Sequence, residues 1–114
     1  MLKKVAAILD ELRLEEVEQA LLMHGVKGLT VHKVRGRGAY FNSYSLDPLT
    51  AYILIEVFTA EHQAEKVARV IINAAHCNAD GEGLVCITPV EDLFWIHTKK
   101  ACRDSDFVFK EVSL

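Results

Sequence analysis

The hydrophobic pattern of this chain switches from strand period to helix period and back, twice over, and that sharply limits the folds open to it. Residues 3–9 form a nearly continuous apolar run, as in a strand covered on both faces. Over 13–24 the repeat becomes helical. Leu14, Val17 and Leu21, with Ala20 and Met23 beside them, make one stripe, and Glu15, Glu16, Glu18 and Gln19 make the other face. The acidic residues suit the positive end of the helix dipole, and Gly25 can end the helix in a left-handed conformation. A strand follows at about 29–35, with Leu29, Val31 and Lys33 alternating against Thr30, His32 and Val34.

The cycle then repeats. Residues 52–59 are a β-branched and aromatic strand, and Ala64, Val67, Ala68, Ile71, Ile72 and Ala75 give the apolar stripe of a helix over 61–77. A short strand is expected at 84–88, interrupted by Pro89, and a last strand at 93–97 is expected to close the core. The order predicts an α+β fold, the ferredoxin-like βαββαβ arrangement, an antiparallel sheet with two helices on one face. Residues 1–98 form the domain, with a long loop at 36–51, and 99–114 form a C-terminal tail in which Phe107, Val108 and Phe109 could dock on a neighbouring surface. The strands read apolar on both sides, yet two helices cover one face. A further subunit is therefore expected on the other.

Composition narrows the class. At 114 residues the chain fits one domain, and 51% apolar residues allow an ordinary core. A net charge of −3 with scattered Lys and Arg argues against nonspecific nucleic-acid binding. No apolar stretch approaches the ~20 residues of a membrane span. The apolar run Val5–Leu9 is also too short for a signal-peptide core, so a cytoplasmic protein without membrane insertion is expected. Cys77, Cys86 and Cys102 form no C-x-x-C pair, and His24, His32, His62, His76 and His97 show no H-x-x-x-H spacing. Reduced thiols and no metal site are expected. Asp10/Glu11 and Glu91/Asp92 suit element ends better than acid–base chemistry, and no nucleophile has a base at motif spacing, so no catalytic residue and no enzyme is expected.

Two glycine turns stand beside strands: Gly36-Arg37-Gly38 and Asp80-Gly81-Glu82-Gly83. Each can offer bare backbone N–H groups to an anion, or be a tight connection only. The loop after Gly38 is polar but carries Tyr40, Phe41 and Tyr44, which suits a partner-docking surface or a flap folded on the core.

These segments resemble the PII nitrogen-regulatory signalling proteins. The resemblance rests on Gly25-Val26-Lys27-Gly28-Leu29-Thr30-Val31-His32-Lys33-Val34-Arg35-Gly36-Arg37-Gly38, on Ile55-Glu56-Val57, on residues 65–76, on Asp80-Gly81-Glu82-Gly83 and on Ile96-His97-Thr98. It implies a homotrimer of ferredoxin-like subunits that binds adenine nucleotides in the clefts between them. The long loop, called the T-loop, would report nucleotide state to a transporter or metabolic enzyme. Gly28, Leu29, Thr30 and Phe58 would then hold adenine, and the turns Gly36-x-Gly38 and Gly81-Glu82-Gly83 would cradle phosphates. Arg37, Leu84, His97 and Arg103 complete the expected nucleotide-binding set.

The chain also departs from the family pattern. Family lysines are replaced by Leu84 and Tyr52, two arginines by Trp95 and His97, and an arginine–glutamine pair by Ala39 and Tyr40. Only thirteen residues, 39–51, separate Gly38 from Tyr52. Each lost charge-assisted bond is worth roughly 1.5–3 kcal/mol. AMP, ADP or cyclic AMP is therefore expected to bind better than Mg-ATP, as an effector rather than a cofactor. The implied role is regulation in nitrogen or inorganic-carbon metabolism. The alternative is a trimeric regulatory subunit that has lost nucleotide binding.

Overall fold

The computed structural model describes residues 1–37, 50–77 and 83–112. Strand β1 is Leu2–Leu9, helix α1 is Leu14–Met23 and strand β2 is Thr30–Gly36. They are followed by strand β3 (Thr50–Ala60), helix α2 (Glu61–Ala75) and strand β4 (Gly83–Val90). The four strands form one antiparallel sheet in the order β2-β3-β1-β4. This is the ferredoxin-like βαββαβ arrangement expected from the periodicity.

The entry into α1 is built locally. Asp10 accepts the Leu12 N–H at 2.9 Å, capping a short 3-10 turn at Glu11–Arg13 that runs straight into the helix. At the other end Gly25 adopts φ 79°, and the Val26 N–H returns to the Leu21 carbonyl at 3.0 Å.

The core lies between one sheet face and the two helices. Val5, Ala7 and Leu9 of β1 face the same side as their register partners Val57, Ile55 and Ile53 of β3. They are buried with Val17 and Leu21 of α1 and with Ala64, Val67, Ala68 and Ile71 of α2. The opposite sheet face carries Lys4, Ala6 and Ile8 beside Phe58, Glu56 and Leu54. Phe58 and Leu84 on that face remain 39% exposed.

Two expectations about the last part of the chain need correction. Pro89 does not end its strand: it pairs in register with Lys3. Strand β4 is an edge strand, where a residue without an N–H leaves no central ladder bond unmade. Residues 93–97 do not form the closing strand. They turn back on themselves: Trp95 N–H donates to the Lys100 carbonyl at 2.9 Å and Cys102 N–H to the Leu93 carbonyl at 2.8 Å. Lys99 takes φ 63° at the bend, and Phe94 makes an isolated bridge to Ala101. The aromatic run has strand propensity, but β4 already occupies the place beside β1, and such propensity depends on context.

Residues 103–112 form an arm that returns to the domain. Phe109 packs on the core cluster and stacks on His24, with ring centroids 4.8 Å apart. The buried Gln63 donates to the Phe107 carbonyl at 2.8 Å. Lys110 N–H donates to the His24 carbonyl at 2.6 Å, and His24 Nδ1 donates to the Lys110 carbonyl at 2.7 Å. Lys66 adds an ion pair with Glu111 at 2.7 Å, which holds the Glu111 carboxyl below its usual range.

Candidate functional site

A cavity of about 430 Å³ opens where the chain leaves α1 and enters β2. Its floor is the segment Gly25–Thr30, its second wall is Glu56, Phe58 and Thr59 at the end of β3, and its third is the turn and arm, through Trp95, Asp106, Phe107, Val108 and Lys110. The size lies within the range of small-molecule sites, and the mixture of aromatic faces with a few polar groups is typical of them. Gly28 lines it, and a Cβ built there would meet no atom within 4 Å. The backbone at that point is open to a ligand.

Two carboxylates sit in the lining, and both are held ionised. Glu56 lies on the sheet face between neighbouring strands. Lys4 Nζ of β1 is 3.0 Å from its Oε2, and His32 Nε2 of β2 donates to its Oε1 at 2.8 Å. These bonds, Lys4 first, hold its carboxyl below the ordinary value of 4.5. Asp106 Oδ2 accepts the Arg103 backbone N–H at 2.9 Å and the Trp95 indole N–H at 3.0 Å, and its carboxyl is lowered in the same way. Burial, with Asp106 nearby, raises the Cys102 thiol above its ordinary value.

The structure brings together part of the expected site. Gly28, Leu29, Thr30 and Phe58 line this one cavity. Gly36 and Arg37 lie at the far end of β2, about 20 Å from Thr30 at the usual rise along a strand. Gly83 and Leu84 stand on β4, at the opposite edge of the sheet, where they line a smaller apolar groove of about 250 Å³ with Ile72 and His76. His97 is exposed and lines neither space, and Arg103 contributes its backbone to the turn that carries Asp106. Gly38, Tyr40, Phe41, Tyr44, Gly81 and Glu82 lie outside the described residues. Among the described residues no group of three or more side chains gathers that could hold a metal ion, and no helix is long and apolar enough to cross a membrane.

Gly83 also has a role that its motif did not signal. It adopts φ 115°, and a Cβ there would lie 1.8 Å from the Ile8 carbonyl oxygen. Its glycine character is required by the approach of β4 to β1, whatever the turn before it binds. Sequence reasoning missed Trp95, Asp106 and Lys110 as cavity walls. The aromatic cluster at 107–109 was the available signal, since it had to dock on some apolar surface. Lys27, which reads as an ordinary surface lysine, is exposed but stands on the cavity rim.

Comparison with known proteins agrees with this architecture. The family model described as nitrogen regulatory protein P-II matches residues 2–100. The nitrogen regulatory protein P-II of Cereibacter sphaeroides is 32% identical over 111 residues, covering 91% of this chain and 99% of that protein. Nitrogen regulatory protein GlnK2 of Haloferax mediterranei is 35% identical over 112 residues, covering 91% of this chain and 90% of the relative. Among solved structures, Arabidopsis thaliana PII bound to citrate superposes with a TM-score of 0.78 at 29% identity, covering 98% of this chain and 93% of the other. The sheet order, the helix placement and a sequence match across nearly the whole described chain lead to one conclusion: this protein belongs to the nitrogen regulatory protein P-II family.

Proposed function

We propose that this chain is a nonenzymatic regulator that binds an adenine nucleotide at clefts between the subunits of a homotrimer. It would pass the nucleotide state to a partner transporter or metabolic enzyme through the loop at 36–51, in nitrogen or inorganic-carbon metabolism. The observation that carries this reading is the cavity. Gly28, Leu29, Thr30 and Phe58, which the family resemblance implies as adenine contacts, line one space of nucleoside size. The distance between this cavity and the glycine at the far end of β2 supports the intersubunit form. One copy would offer its base-binding end, and a second copy would bring its glycine turns to the phosphates.

The residues that stand where the family carries lysines favour AMP, ADP or cyclic AMP over Mg-ATP. Tyr52 is buried in the sheet and Leu84 lines an apolar groove, so neither supplies a cation. The same two residues favour the second reading, a trimeric regulatory subunit without nucleotide binding. Calorimetric titration with AMP, ADP, cyclic AMP and Mg-ATP decides. Binding of at least one of the first three, tighter than Mg-ATP, is expected. Mg-ATP bound tenfold tighter than the rest would overturn the preference, and no heat from any of them would favour the second reading.

A further inference from the structure

We infer that Trp95 is the stacking platform for a purine base in the large cavity, and that this site selects a nucleoside or nucleoside monophosphate by its base end. The inference rests on the reading of the cavity as a nucleotide site and adds the residue and the ligand class that decide recognition there.

Three observations carry it. First, Trp95 is presented rather than buried. It lines the cavity, yet 44% of it remains exposed. Phe58, 39% exposed, lines the same cavity, and an open apolar patch formed by more than one such side chain in a cavity points to a ligand that covers it. Second, the ring is held in place. Phe107 stacks on it with centroids 6.0 Å apart and planes 17° from parallel, and its indole N–H is fixed by Asp106 at 3.0 Å. Asp106 is itself fixed by the Arg103 backbone, so the indole cannot turn without breaking a charge-assisted bond. A ring ordered before binding loses little freedom when a base lands on it.

Third, the polar groups match a base better than a polyphosphate. The charged lining is two ionised carboxylates, Glu56 and Asp106, set against Lys27 and Lys110. The lining that this one copy supplies therefore carries no net positive charge and suits the base end of a ligand. A carboxylate accepts more hydrogen bonds than the two each one makes here, so both can take an exocyclic amine or ring N–H. Planar rings with such donors, and at most one phosphate for the two lysines, fit this set.

The test is direct because Trp95 is the only tryptophan in the chain. Adenosine, AMP and Mg-ATP, with cytidine as a smaller-ring control, are titrated into the full chain. Tryptophan emission and calorimetric heat are read together. AMP and adenosine are expected to quench the emission, with cytidine binding more weakly. Trp95→Ala should lose about tenfold or more in AMP affinity, the range for base–aromatic stacking, and Trp95→Phe should recover most of it. Circular dichroism of both variants checks that they keep the native fold. AMP heat with unchanged emission, and equal affinity in Trp95→Ala, would overturn the role of Trp95 and leave the nucleotide site standing. Absence of heat from adenosine, AMP and Mg-ATP alike would overturn both.

Discussion

Gly28 and Gly83 look alike in the sequence, each beside a strand and each expected at nucleotide, but the structure gives them opposite surroundings. A Cβ at Gly28 meets open space, and its φ is not positive. Gly28→Ala should leave stability within about 0.5 kcal/mol while weakening nucleotide binding severalfold, because the methyl enters the cavity and nothing else. Gly83→Ala should do the reverse. Its φ of 115° and the 1.8 Å approach to the Ile8 carbonyl call for both strain and displacement. A loss of about 3 kcal/mol in denaturant unfolding is expected, whatever the effect on ligand. Equal midpoints for Gly83→Ala and the native chain would refute the structural role. The sequence shows where glycines are; it does not show which have a neighbouring strand pressed against the missing side chain.

At the scale of elements, periodicity made β1, α1, β3 and α2 legible, because each buries a stripe or face whose repeat is written in its residues. Residues 93–97 misled because an aromatic run suits a strand wherever the sheet has a place for one, and β4 had taken it. The arm was hidden for another reason. Trp95, Phe107 and Phe109 are held by contacts between separate segments of the chain, with no period of their own. The half of the cavity lined by Gly28 to Thr30 and Phe58 could therefore be read from the chain, and the half on the arm could not. A pH prediction belongs to this scale, since Glu56 ties β3 to β1 through Lys4 and to β2 through His32. Its carboxyl is lowered in the folded chain, so its stabilisation is present above the ordinary value of 4.5 and fades as the pH falls through the folded value. Glu56→Gln should be less stable than the native chain at pH 7, and the gap should narrow below pH 4.5 in parallel unfolding curves. A gap of constant size from pH 7 to pH 3 would mean that these bonds do not stabilise the fold.

For the whole molecule, the sheet is the deciding surface. One face is packed under both helices. The other keeps Phe58 and Leu84 partly open and carries the network of Lys4, His32 and Glu56, while β2 and β4 are the outer strands of the sheet. A mixed apolar and charged surface of this kind suits a further copy of the chain. Light scattering at micromolar concentration should give a trimer mass, and a monomer mass would refute the intersubunit reading of the site.

The clasp between His24 and Lys110 joins residues 86 positions apart. During synthesis the sheet and both helices can form before the arm emerges, but the cavity cannot. Trp95 has no Asp106 to fix it, and the floor from Gly25 to Thr30 has no opposite wall, until Lys110 is free to reach His24. The wall on the arm is thus the last part of the cavity that a growing chain can put in place.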